Sequence, residues 1–247
     1  MIISTSPEPL FKRDFRLKES VCTIISDREE AVQAAISSIE FHRGELEEYI
    51  KANPVFQYAL EPLSVQKGPK VASLMAEAAD RAGVGPMAAV AGVLADLAVE
   101  EMLEAGARVA IVENGGEASF VSDRPVDVAL QAGDAPLSRR VGFRLERFPI
   151  GVATSSGLFS HALSLGEAEA VTVFAGSAGL ADAAATAVGN LVRGEDEREA
   201  VALGVERGLT IRGVGGVLII YRGHVGMGGE VPPLIGVDPS VATAEAR

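Results

Sequence analysis

A single cysteine, Cys22, stands in the whole chain, so no internal disulfide and no metal centre built on several thiolates is available to it. Cations are scarce as well. The 22 Lys and Arg face 34 Asp and Glu, a formal charge of −12, which leaves no basic stripe to displace phosphate counterions and excludes nucleic acid as a partner. The longest apolar run, 87–103, is interrupted by Asp96, Glu100 and Glu101, so no membrane span is expected. The first residues lack a basic segment followed by an apolar core, which argues against a signal peptide. Gly-x-Ser-x-Gly, Walker and Rossmann fingerprints are missing too. These absences leave a chain expected to be cytoplasmic and to bind a small molecule, one that brings cations to an acidic protein.

What is present is enough for a full core: 247 residues, 48% of them hydrophobic, suit one large domain or two small ones. Alternation at 11–18 and the apolar run 21–25 predict a hairpin. Ser26 with Glu29 reads as a capping box for a helix that runs to Gly44, resumes to residue 51 and ends at Asn53-Pro54. Residues 54–68, with Pro54, Pro62 and Gly68-Pro69, form a connector, or a loop that covers a pocket. Helices are expected at 69–82 and 87–104, strands at 108–112 and 117–121 around the turn Asn114-Gly115-Gly116, and further strands at 126–131 and 137–147.

The stretch 150–190 organises the rest. A strand from Ile150 enters the small-residue turn Thr154-Ser155-Ser156-Gly157, a second strand follows at 171–175, and an alanine-rich helix begins with Asp182 and Thr186 on one face. The chain then repeats itself. Gly92 to Asp96, Gly106, a strand and Gly115-Gly116 have counterparts in Gly179 to Asp182, Gly208, a strand at 209–212 and Gly215-Gly216, ahead of a central strand at 217–221. The pattern predicts an α+β duplication with a ligand where the copies meet. One domain over 1–240 is expected, with repeats at about 1–125 and 126–231 and a frayed tail at 232–247.

Asp182 and Thr186 offer hard oxygen ligands suited to Mg²⁺, with helix N–H groups nearby for a phosphate. The alternative is that Asp182 caps the helix while Thr186 bonds back to a carbonyl, and Asp96 faces the same choice. Thr154 to Gly157 reads as an oxyanion or phosphate site, or as a polar turn. Of the histidines at 42, 161 and 224, His161 lies nearest these candidates and is the proton carrier to consider.

Taken in order, Gly92-x-x-x-Asp96, Asn114-Gly115-Gly116-Glu117, Ala153-Thr154-Ser155-Ser156-Gly157, Thr172-Val173-Phe174-Ala175 and Ala181-Asp182-Ala183-Ala184-Ala185-Thr186-Ala187 resemble the ApbE superfamily of flavin transferases. The chain looks most like an uncharacterised cytoplasmic branch of it. The resemblance implies a duplicated T-fold of antiparallel sheets with paired helices, FAD and Mg²⁺ as cofactors, and cleavage of the FAD pyrophosphate with FMN transfer to a threonine of a target protein. Carried over residue by residue, it assigns the metal to Asp182, Thr186 and the main-chain oxygen of Val90. It assigns the flavin nucleotide to Gly92, Asn114, Gly115, Gly116, Glu117, Thr154, Ser155, Ser156 and Gly157, and catalysis to His161 and Asp182.

Three positions depart from the family pattern: Ala91 replaces a lysine, Glu117 replaces an aspartate, and the Asp-Pro that follows the histidine is absent after His161. Two other readings therefore stand beside flavin transfer. One is an enzyme of the same fold acting on another substrate, with sulfur metabolism as a setting; the other is a catalytically silent binding domain. Exposed sheet edges in such a fold also lead us to expect a homodimer.

Overall fold

The computed structural model describes residues 2–3, 10–130, 138, 140–156 and 166–237. After the two-residue strand β1 (Ile2–Ile3), the chain forms β2 (Phe11–Leu17), β3 (Ser20–Ser26), α1 (Glu29–Ala52), α2 (Val55–Tyr58) and α3 (Lys70–Ala82). A 3₁₀ turn at Pro86–Ala89 leads into α4 (Val90–Glu104), followed by β4 (Ala110–Asn114), β5 (Glu117–Val121), β6 (Val126–Ala129) and β7 (Val141–Leu145). The remainder is β8 (Ile150–Ser155), β9 (Ala170–Ala175), α5 (Ala178–Gly189), α6 (Glu197–Thr210), β10 (Val214–Tyr221), β11 (His224–Gly229) and β12 (Leu234–Gly236).

Eight strands make one antiparallel sheet in the order β11-β10-β9-β8-β5-β4-β3-β2, and β1-β6-β7-β12 make a smaller one. The order is symmetric about the β8–β5 junction. Each half is a consecutive four-stranded meander with helices inserted between its second and third strands: α1 to α4 between β3 and β4, α5 and α6 between β9 and β10. This is an α+β fold with an internal repeat. Alternation sorts the side chains of the large sheet. One face, carrying Ala153, Val171, Val173, Val217 and Ile219, packs under the helices. Val152, Phe174, Leu218 and Ile220 face the smaller sheet, where Phe143 meets Phe174 edge-on at 4.9 Å between ring centroids.

Several local expectations need correction. The Ser26 hydroxyl accepts the Arg28 N–H at 3.2 Å, so no capping box forms with Glu29; α1 then runs unbroken through Gly44. Gly208 does not stop a helix, and no strand forms at 209–212, because α6 continues to Thr210. Gly208 sits inside that helix for a packing reason: a Cβ there would lie 2.5 Å from Val217 Cγ2. Gly215-Gly216 belongs to β10 and makes no turn. Part of the expected frayed tail is held in the smaller sheet, where Leu234–Gly236 pairs with β7; residues 238–247 lie outside the described residues. Among the described residues no single helix is long and apolar enough to cross a membrane.

Candidate active site at the meeting of two helix N-termini

Helices α4 and α5 come from the two halves of the sheet, and their first turns touch. The contact is close enough to require glycine on both sides. A Cβ on Gly92 would lie 2.2 Å from the Ala178 carbonyl oxygen, and one on Gly179 would lie 2.5 Å from Val93 Cγ2. Each helix end presents N–H groups without intrahelical partners. Asp96 of α4 accepts the Ala178 and Gly179 N–H groups at 2.9 and 2.8 Å. In return, Asp182 of α5 accepts the Gly92 N–H at 3.0 Å and also bonds the Ala91 N–H.

Each aspartate therefore caps the opposite helix. Neither caps its own, as the sequence reading had considered. Asp182 is the fifth residue of α5 rather than its start, and the true N-cap is Ser177, whose hydroxyl accepts the Leu180 N–H at 3.3 Å.

The turn between β4 and β5 adds the next residues. Gly115 and Gly116 take φ of +75° and +128°, values that disfavour any side chain, and the Gly115 N–H bonds the Val21 carbonyl at 3.1 Å. Buried Asn114 donates from its side-chain amide to the Ala91 carbonyl at 3.2 Å, tying the turn to the start of α4. Glu117 points to the helix side of the sheet, beside Asp182. Burial raises its pKa well above the usual carboxylate range, and the nearby Asp182 and Glu113 charges raise it further.

Asp182 is pushed up to about 7, mainly by burial, with Asp96 adding to the rise and the Gly92 and Ala91 N–H groups opposing it. Burial likewise raises Asp96, against the bonds from Gly179, Ala178 and the Ser119 hydroxyl.

Thr186 follows Asp182 by one helical turn on α5, and Val90 is the first residue of α4, so the three proposed metal donors sit on the two converging helices. Among the described residues no group of three or more His, Cys, Asp and Glu side chains is placed to hold a metal ion. The donor chemistry nevertheless suits a hard cation: carboxylate, hydroxyl and carbonyl oxygens, with a second carboxylate alongside whose repulsion a divalent charge would relieve.

The β8 residues divide between the two faces. Thr154 pairs with Thr172, their hydroxyl oxygens 3.0 Å apart, on the side of the smaller sheet and away from Asp182. Its main-chain oxygen still borders the glycine turn, since a Cβ on Gly116 would lie 3.8 Å from it. Ser155 shares the helix-side face, and Ser156 directly follows the strand. His161 and Gly157 lie outside the described residues. Sequence reasoning missed Ser119 and Ser177. Ser119 had a usable signal, because it stands two residues beyond Glu117 in a strand and so shares its face.

The architecture defined by these elements is that of the ApbE flavin transferases. The flavinyl transferase ApbE of Pseudomonas stutzeri, in its apo form, superposes with a TM-score of 0.58 at 16% identity, covering 90% of this chain and 94% of that one. The ApbE protein of Thermotoga maritima gives 0.57 at 14% identity, covering 90% and 97%. At such identities the likeness is one of fold.

The chain itself belongs to the AbpE bacteria family, whose model matches residues 14–216. Relatives include the UPF0280 proteins of Methanosarcina acetivorans, 42% identical over 90% of this chain and 88% of the relative, and of Methanosphaerula palustris, 40% identical over 95% and 98%.

Proposed function

We propose that this protein binds a flavin nucleotide at the α4–α5 crossing and, with Mg²⁺, cleaves the FAD pyrophosphate and transfers FMN to an acceptor hydroxyl. The observation that carries the reading is the half-buried Asp182–Glu117 carboxylate pair set between two helix N-termini and a positive-φ glycine turn.

A divalent cation at Asp182, Thr186 and the Val90 carbonyl would supply positive charge to diphosphate oxygens. The chain's own groups do the rest. Asn114 fixes the Ala91 carbonyl and with it the course of the first turn of α4. Gly115 and Gly116 let the backbone approach a phosphate without side-chain hindrance. Burial and the neighbouring Asp182 charge make Glu117 hold its proton more tightly than an ordinary carboxylate, and in its protonated form it would donate a hydrogen bond to a phosphate oxygen rather than repel it. His161 and Asp182 are the candidates for moving the proton of the acceptor hydroxyl.

Incubation with FAD and Mg²⁺, followed by mass spectrometry, tests the reaction. AMP release is the expected result, and FAD recovered intact with a suitable acceptor present would exclude the transfer.

One observation favours a second reading. At Ala91 the chain has no cation where the flavin transferases carry lysine, and its backbone N–H is already bonded to Asp182. This supports a nucleotide pocket that binds without cleaving, or one of the same fold that acts on another substrate. In that case FAD binds and no AMP appears.

A further inference from the structure

The two edges of the large sheet differ in a way that points to a second copy of the chain. At one edge β2 carries Lys12, Arg13, Asp14 and Arg16, charges that discourage strand addition. At the other, β11 reads His-Val-Gly-Met-Gly-Gly, with Val225 48% and Met227 50% exposed. The hairpin register sets which β11 groups are free. Tyr221 and His224 flank the two-residue turn and exchange backbone bonds, as do the alternate pairs Ile219 with Gly226 and Val217 with Gly228. The N–H and C=O groups of Val225 and Met227 therefore turn outward, and among the described residues no strand meets them.

We propose that β11 pairs with β11 of a second copy, antiparallel about a two-fold axis at Gly226, forming one continuous sheet across a homodimer. Outward-facing residues must oppose each other, and only a centre at Gly226 keeps the pairing within the regular part of the strand. Centres at Val225 or Met227 would draw in the turn at Gly223 or Gly229, whose φ is +74°. In this register Val225 exchanges both backbone bonds with the partner's Met227, and their exposed side chains cover one another.

The helix above the edge fits the same axis. Gly204 and Gly208 of α6 pack on Ile219 and Val217 of β10, while Val201, Val205 and Leu209 pack over Gly226 and Gly228 of β11, so α6 lies above the gap between these strands. With strands about 4.8 Å apart, a dyad just outside β11 sets the two α6 axes about 10 Å apart, an ordinary helix-packing separation. The flank of α6 facing that dyad carries Arg198, Ala202 and Glu206 at four-residue intervals, all exposed, together with Leu209 at 42% exposure. Val201, which a Cβ on Gly226 would touch at 2.2 Å, places the dyad near Ala202. The small alanine then faces its own copy, and Arg198 meets the partner's Glu206 on both sides. An edge without Asp, Glu, Lys or Arg along its length, flanked by charges that complement themselves under two-fold rotation, suits self-association. The interface stands apart from the flavin reading, and either can fail alone.

Sedimentation velocity on the full chain at micromolar concentration tests it, with thermal melting as a check that each variant is folded. Wild type is expected to be a dimer. Met227→Pro removes an outward N–H that makes no bond within the subunit, and Ala202→Glu puts bulk and charge on the axis; both are expected to give folded monomers. Arg198→Glu alone should weaken the dimer about tenfold, and Arg198→Glu with Glu206→Arg should restore it. A monomeric wild type, which would leave the edge to a peptide strand of another protein, overturns the proposal. A dimer that survives Met227→Pro and Ala202→Glu overturns it equally.

Discussion

Asp182 accepts the first N–H groups of α4, and the proposed function asks the same carboxylate to serve as anionic ligand for a cation, so the two roles would compete. Its pKa, pushed up to about 7 by burial, makes the competition visible as a pH dependence. The unfolded chain binds this proton with a pKa near 4, so the folded state holds it more tightly. The resulting stability is fully present below about pH 4 and is lost as pH rises through about 7. A cation must displace the same proton. Mg²⁺ affinity, measured by calorimetry, is predicted to rise about tenfold per pH unit below about 7 and to level off above it. A flat profile between about pH 5.5 and 8.5 would count against Asp182 as ligand.

Asp182→Asn keeps an oxygen for the Gly92 N–H and removes the charge, so the fold should stand, Mg²⁺ binding should vanish and this part of the pH-dependent stability should flatten. Asp96→Ala, in contrast, leaves the Ala178 and Gly179 N–H groups without their acceptor and should cost about 2 kcal/mol in denaturant unfolding. Much of this was legible at the level of single residues. The order Gly92, Asp96, Asn114-Gly115-Gly116-Glu117 and Asp182 pointed to residues that do converge. The reciprocity of the two caps was not legible, because hydrogen bonds between residues 82 to 90 positions apart leave no local pattern.

At the scale of elements, the helix crossing depends on bare backbone. Gly92→Ala forces a Cβ against the Ala178 carbonyl and should destabilise by about 2 kcal/mol or more, with flavin affinity falling as the two N-termini separate. Gly44 in α1 is the control: a Cβ there meets nothing within 4 Å, so Gly44→Ala should raise stability by about 1 kcal/mol. Equal melting temperatures for the two variants would contradict this account of the crossing.

The same two uses of glycine explain where sequence reading erred. Gly106 and Gly115 have positive φ and do end or turn their elements. Gly208 and Gly216 look alike on paper, but they serve close packing within a helix and a strand, against Val217 Cγ2 and the Glu230 carbonyl oxygen. Reading them as stops displaced the second copy of the repeat. Its true beginning is the β8–β9 pair, which alternation alone could not assign to the later helices.

For the molecule as a whole, each half of the sheet brings one helix N-terminus to the crossing, and the two ends differ. The α5 end is closed: Gly151 of β8 presses on Ser177 and Ala178 so tightly that a Cβ would lie 2.1 Å from the Ser177 carbonyl carbon. The α4 end instead faces the glycine turn and the Asp182–Glu117 pair. Both halves of the sheet thus contribute to the candidate site, the start of α4 and the glycine turn from one and Asp182 of α5 from the other, and the two helix ends that meet there are unlike.

The most direct test of that claim is titration calorimetry of FAD into the protein with Mg²⁺, repeated with chelator and with Asp182→Asn. Binding that weakens by about tenfold or more in both of the latter is the predicted result. FAD affinity that is the same in all three, or no binding with Mg²⁺ present, would contradict a flavin site at the helix crossing.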